Sequence, residues 1–413
     1  MLSTSDYLDE EELWTTMFPD ESSLHAADPS PPQVAHRVAA NACKDEDPSL
    51  WLQVMQVADL GDSSASFPPP PNADAPVTGP LTLPMHPSGG SLSKPAFRHD
   101  GLLVVGSEAS PTDSFATEHG LFVSNFRSPD HGFLPLRHAV RDLQWIEPHA
   151  IVLAVGKDLQ VLHVGATAAE CHLQAPITMT HSNLIRELAV CPANARQVLS
   201  GGFDETVCMT DLDCADVLLK FDARDVVSSL RWIPDGTAHR VSWTTDGGAY
   251  SMADIRVKSA SGQLNVASPS LFRFEVTGGL YAHDYASEHD VVLAYEKGHL
   301  AFLDVRKLPA HDACYLMVQS PLHTVGEVRK SLCGDVALFG LGGFAIADLS
   351  RASCLHPTRC SIEFFPVHMD PTRKTSGDFA VDNVNLLAVS DSAGLVSMYD
   401  MQTLRGVDDT FAL

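Results

Sequence analysis

The sequence predicts an all-β repeat fold behind a non-globular N-terminal segment. Three observations carry that expectation. The first 95 residues hold 14 of the 27 prolines, and 14 Asp and Glu against three basic residues, Arg37, Lys44 and Lys94. From about residue 97, short apolar runs alternate with turn residues and helical periodicity is scarce. Acidic residues then close successive strand-like units at Asp211, Asp254, Asp304, Asp348 and Asp400, which stand 43, 50, 44 and 52 residues apart.

Composition and charge bound the function. The chain has 413 residues, 45% of them apolar and 19% charged, which suits a globular protein and excludes collagen or global disorder. No apolar run reaches the length of a membrane span. The acidic start lacks the basic, then apolar, pattern of a secretory signal, so a cytoplasmic and/or nuclear protein is expected. The formal net charge is -25, against broad binding to nucleic acid or anionic membranes. Nine cysteines without a C-x-x-C pair read as reduced, mostly buried thiols, neither a disulfide framework nor a zinc site.

Residues 1–95 are expected to form a disordered acidic, Pro-rich tail, because proline, serine and glycine between Phe67 and Pro95 cannot fill a core. Two apolar islands interrupt it. Leu13 and Met17, like Trp14 and Phe18, are i, i+4 pairs that one side of a helix would present. Trp51, Val54 and Met55 share a helical face behind Ser49 as N-cap. Both islands are candidate partner-binding motifs that either fold into a partner's groove or dock on the chain's own domain.

The repeat is clearest from His181 to Leu212. It comprises an opening His181, a strand Ile185 to Val190, a turn at Pro192, a strand Val198 to Gly201, a turn Phe203-Asp204-Glu205, and a strand ending Met209-Thr210-Asp211. Units ending near Val164, Ile255, Val305, Leu349 and Met401 align with it, Asp158, Asp246 and Asp391 taking the turn position in three of them. A diverged unit from Leu102 to Phe126 brings the count to seven.

The His181–Leu212 unit resembles a WD repeat, with Thr210-Asp211 where that family has Trp-Asp. The period also brackets the 40–45 residues of such repeats. The resemblance implies a seven-bladed β-propeller over residues 96–413. It implies a structural network of His181, Asp204 and Asp211, in which His181 pairs with the turn carboxylate of Asp204. It further implies that the chain ends share one blade, for which a strand at about 97–106 is expected to lie beside the last unit. The missing Trp removes one member of that network.

Gly340-Leu341-Gly342-Gly343 has the look of a phosphate loop but lacks a following helix and Lys, so it reads as a tight inter-strand turn. No H-E-x-x-H, G-x-S-x-G or close Cys/His spacing occurs. Neither a catalytic constellation, a cofactor nor a metal is expected. Members of the WD family scaffold protein complexes, so the resemblance implies a non-catalytic subunit that mediates protein–protein interactions, with basic substrates as one partner class that the acidic charge would attract.

Two narrower resemblances follow. The order Phe97-Arg98-His99-Asp100-Gly101-Leu102, then Gly120-Leu121-Phe122-Val123, then Val140-Arg141-Asp142-Leu143-Gln144-Trp145 is similar to that of the WD-repeat subunit of methylosomes, which presents substrates to an arginine methyltransferase. The triplets Asp254-Ile255-Arg256 and Asp304-Val305-Arg306 on consecutive repeats resemble the Asp-x-Arg endings of cullin–RING ligase substrate receptors. That resemblance makes Asp254, Arg256, Asp304 and Arg306 candidate partner-binding residues, with Ala253 and Leu303 in place of the family's Trp.

Overall fold

The structure, a computed structural model, describes residues 81–84, 91–98, 101–107, 119–125, 131–165, 170–178, 180–257, 263–267, 278–308, 310, 313–331, 334–349, 362–368, 374–380 and 383–404. The motifs around Trp14 and Trp51, with the rest of the expected tail up to residue 80, lie outside the described residues.

Seven antiparallel sheets of four strands each make up the fold. Blade 1 comprises β2 (Leu92–Phe97), β3 (Leu102–Ser107), β4 (Gly120–Asn125) and β5 (His131–Pro135). Blade 2 comprises β6 (Val140–Glu147), β7 (Ala150–Val155), β8 (Asp158–His163) and β9 (His172–Leu173). Blade 3 runs through β10 (Ile185–Val190), β11 (Gln197–Gly202), β12 (Thr206–Asp211) and β13 (Asp216–Asp222). Blade 4 follows with β14 (Val227–Trp232), β15 (Arg240–Thr245), β16 (Tyr250–Asp254) and β17 (Gln263–Ala267). Blade 5 holds β18 (Leu280–Tyr285), β19 (Asp290–Tyr295), β20 (His299–Asp304) and β21 (Cys314–Gln319). Blade 6 holds β22 (Glu327–Lys330), β23 (Val336–Gly340), β24 (Gly343–Asp348) and β25 (Glu363–His368). Blade 7 combines β26 (Lys374–Ala380), β27 (Asn383–Asp391) and β28 (Leu395–Asp400) with β1 (Leu81–Pro84), the first strand in the chain.

The first strands of blades 1 to 7 touch in succession, and β26 returns to β2. The ring is therefore closed, and the molecule is a seven-bladed β-propeller with those strands around its axis. Each sheet must bury both faces, which explains why several second strands read as nearly continuous apolar runs. Ala150–Val155 and Asp290–Tyr295 are buried throughout. Seven apolar clusters result, one between each pair of neighbouring blades. Leu199 and Val207 meet Leu230 and Trp243 between blades 3 and 4, and Phe339 and Phe344 meet Leu387 and Tyr399 between blades 6 and 7. Leu103 and Phe122 meet Ala388 and Val396 across the closure. On the outermost strand β13, where the register shifts, Val217 and Leu218 are left exposed.

Two expectations need correction. The strand that shares the last blade is β1, whose Leu81, Thr82 and Leu83 pair with Met398, Ser397 and Val396. Residues 102–107 instead form the second strand of blade 1. The sheets also take in Leu81–Pro84 and Leu92–Phe97, ahead of the boundary that composition places at residue 95. A four-residue edge strand tolerates a proline at its end, so a proline-rich average conceals it.

The glycine-rich segment is the expected turn. Gly340 pairs with Gly343 across two residues, and Gly342 has φ 98°. A side chain on Gly340 would sit 1.9 Å from the Thr324 carbonyl oxygen, which is why glycine stands there. Among the described residues, no helix is long and apolar enough to cross a membrane.

The closure makes β1 a structural necessity. A chain starting at Met85 should melt about 5 °C or more below one starting at Gly79. Equal midpoints in differential scanning fluorimetry would show that the ring does not depend on this strand.

Candidate functional site

The first strands converge on the axis, and they bring charge with them. Lys94 comes from β2, Asp142 from β6, Glu187 from β10, Arg231 from β14, Asp284 from β18, Glu327 and Arg329 from β22, and Asp378 from β26. Five of these strands carry a register shift one residue in, at Arg141, Arg186, Ser228, Tyr281 and Thr375. Such bulges re-aim the side chains that follow.

The charges pair around and across the ring. Lys94 Nζ lies 3.2 Å from Asp142 Oδ1 and 4.0 Å from Asp378. Arg231 Nη1 donates to Glu187 Oε1 at 2.6 Å. Arg329 Nη2, from blade 6, reaches the same oxygen of blade 3 at 3.2 Å, and also pairs with Glu327. Arg231 Nη2 donates to the Val328 carbonyl at 3.3 Å. Blades 3, 4 and 6 are thus bridged over the axis.

Backbone groups complete the pairing between neighbours. Asp142 Oδ2 accepts from Leu188 N at 2.7 Å, Gln144 Oε1 from Val190 N at 3.1 Å, and Asp284 Oδ2 from Lys330 N at 2.8 Å.

Burial at this site sets the protonation behaviour. Burial opposes ionisation of Glu187, but Arg329, Arg231 and Lys94 outweigh it and hold its carboxyl at about 2. Burial wins at Asp142 and at Glu327, whose carboxyls are pushed up despite Lys94 and Arg329 respectively. Burial acts against the Arg329 cation too, yet Glu327 and Glu187 raise it well above its ordinary value.

On one side of this charged layer lies a cavity of about 870 Å³. Its wall includes Trp145, Pro192, Trp232 and Pro234, and its charged lining is Lys94, Arg231, Arg329 and Lys330 with Asp284 and Asp378. At the other end, Arg186 Nη1 donates to both carboxylate oxygens of Asp246, at 2.7 and 2.9 Å, with its guanidinium near the rings of Phe203 and Tyr281.

The residues expected from the repeat are placed as follows. His181 and Asp204 meet, with Nδ1 2.9 Å from Oδ1. His181 Nε2 is 2.8 Å from Ser200 Oγ, and Asp204 also accepts from Ser182 N at 3.0 Å and Thr206 Oγ1 at 2.8 Å. Burial opposes charge on His181, but its bond to Asp204 and the neighbouring Cys208 thiol raise it to about 9. Asp204 is correspondingly lowered to about 2, its hydrogen bonds to His181, Ser182 and Thr206 outweighing burial. A charged His181 would donate from both nitrogens, to Asp204 and to Ser200.

Asp211 stands apart from this pair. It accepts from Asp213 N at 2.9 Å and Cys214 N at 3.3 Å, capping the turn into β13. Thr210 is buried, and its hydroxyl finds no hydrogen-bond partner in place of the expected Trp.

The two Asp-x-Arg triplets are similar to each other. Arg256 turns back on Asp254 at 2.9 and 2.5 Å, and Arg306 on Asp304 at 2.9 and 2.9 Å. The Arg256 and Arg306 side chains stay 65% and 46% exposed. Leu13, Trp14, Met17, Phe18, Trp51, Val54 and Met55 lie outside the described residues.

Sequence reasoning missed the axial network. It also missed a buried chain between blades 4 and 5, in which Tyr250 OH meets Tyr285 OH at 2.7 Å, Tyr285 donates to Ser242 at 2.7 Å, and Ser242 meets His283 Nε2 at 2.9 Å. The available signal was charge inside strands that otherwise start apolar. Among the described residues, no group of three or more His, Cys, Asp and Glu is placed to hold a metal ion. No known protein-family model matches the sequence, and neither does any of the curated proteins compared with it.

Two measurements follow from these pairs. The His181 contribution is complete below its ordinary pKa of 6.5 and fades as pH rises through about 9. The Asp204 contribution is complete above 3.8 and fades as pH falls towards 2. Asp204→Asn should therefore cost about 2 kcal/mol in urea unfolding between those two ordinary values, and progressively less towards alkaline pH; a gap that widens with rising pH contradicts the pairing. Glu187→Gln should cost about 3 kcal/mol, because it strands two buried arginines. A loss below 1 kcal/mol would show that the arginines do not depend on it.

Proposed function

We propose that the protein is a non-catalytic WD-repeat scaffold, a subunit of a multiprotein complex that acts in the cytoplasm and/or nucleus. A β-propeller is commonly a protein-interaction scaffold, and the observation that carries the finer reading is blade 3. There the opening His181 and the turn Asp204 are paired and buried within the four strands of a closed seven-bladed ring. The free thiols of Cys191 and Cys208, both buried, support an intracellular setting. The axial titratable groups support a structural role, since they pair with one another and with neighbouring backbone.

Loops and rims of such a ring are its contact surfaces. Affinity purification of the full chain with mass spectrometry should retrieve at least one protein in near-stoichiometric amount. Recovery of the chain alone, or of nucleic acid as its main companion, would overturn the scaffold reading.

A second reading has one observation in its favour. Arg256 and Arg306 stand at equivalent places on blades 4 and 5, each held by its own Asp on a side chain that is 65% and 46% exposed respectively. Paired planar forks of this kind suit an adaptor's carboxylates or carbonyls. Arg256→Ala combined with Arg306→Ala is expected to leave the melting midpoint within about 2 °C and to abolish capture of a cullin–RING adaptor. Undiminished capture would sink the ligase-receptor reading.

A further inference from the structure

The cavity beside the axial network is a blind bowl. Arg329 reaches from blade 6 to Glu187 of blade 3, and Arg231 reaches from blade 4 to the backbone of blade 6, so side chains cross its floor. The order of charge in that floor matters. Lys94, Arg231, Arg329 and Lys330 line the bowl, whereas Asp142, Glu187 and Glu327 are absent from its lining. An occupant therefore meets cations first, with three of the carboxylates that balance them behind.

The two carboxylates that do reach the wall are already engaged. Asp284 accepts from Lys330 N and from Tyr285 N at 2.8 and 2.7 Å, and Asp378 accepts from Phe379 N at 3.0 Å.

Part of the wall is apolar. Trp145 near the end of β6 and Trp232 at the end of β14 stand with Pro192 and Pro234 of the turns that follow β10 and β14. The bowl thus offers cations on its floor and aromatic surface in its wall.

We propose that this bowl is a docking site for an acidic, apolar segment of a partner protein, one in which a Glu or Asp flanks a large hydrophobic side chain. This rests on the scaffold reading and names the surface and the partner chemistry. The carboxylate takes the Lys94, Arg231, Arg329 and Lys330 side, and the hydrophobic side chain packs on Trp145 and Trp232. Charge complementarity selects the occupant. The chain as a whole carries a net charge of -25, which disfavours acidic peptides, so affinity for one belongs where basic side chains gather, as in this lining.

The test uses the full chain and a fluorescein-labelled heptapeptide of sequence GEDFELG, followed by anisotropy at low salt. The peptide should bind, and its counterpart with every acid replaced by the amide should bind about tenfold more weakly. Lys330→Glu should weaken the acidic peptide by a similar factor, whereas Lys220→Glu, the same charge change on the exposed β13, should leave it unchanged. Added salt should weaken binding as well.

Equal affinity for the acidic and amide peptides, or an unaffected Lys330→Glu variant, would overturn the proposal. So would displacement by millimolar inorganic phosphate alone, which would assign the bowl to a free anion. Preference for the same peptide with Lys in place of each acid would overturn it in the opposite direction. If the peptides fail while affinity purification still retrieves stoichiometric partners, the scaffold reading stands and only the bowl is lost.

Discussion

Closure of the ring is the constraint on which everything else depends. A four-stranded blade has two faces and cannot bury either alone. Seven blades solve this by packing face to face, and the seven apolar clusters are the record of that solution. The solution works only if the last blade meets the first. Here β1 supplies the fourth strand of blade 7, so the two ends of the repeat domain are held in one sheet.

Closure creates a second problem at the axis. Seven strands converge there, and their inward side chains face one another rather than a neighbouring sheet. This chain fills the space with charge. The arrangement is stable because each buried group has a partner on another blade: Lys94 with Asp142, Arg231 with Glu187, and Arg329 with Glu187 from across the ring. Buried ions of this kind add little net stability, but removing one partner is severe. The network therefore acts as a set of cross-braces whose members depend on one another. It also fixes which charges face the bowl and which stay behind.

Much of the fold was legible in the sequence because two-sided burial writes itself as apolar runs. Ala150–Val155 and Val336–Gly340 are examples. The pairing of His181 with Asp204 was legible too, since one repeat kept the full pattern of opening residue, turn acid and strand end. Blade 1 was read as a diverged unit from Leu102 onward, and its first strand, β2, was missed because Pro95 and Lys94 disguise it. β1 was hidden for the same reason, four residues among prolines. The axial network was not legible at all. Its members are scattered from residue 94 to residue 378 on separate strands, and only the closed ring brings them within reach. The Asp-x-Arg triplets were visible as spacing, but the bidentate return of each Arg to its own Asp is a property of the strand end.

The most direct test of this account is a double-mutant cycle across the axis, with Glu187→Gln and Arg329→Gln measured singly and together by urea unfolding. If blades 3 and 6 are braced through these side chains, the double variant should be more stable than the sum of the single losses implies, by about 1.5 kcal/mol or more. Strictly additive losses would mean that the two residues do not meet, and the charged floor of the bowl would not exist as described.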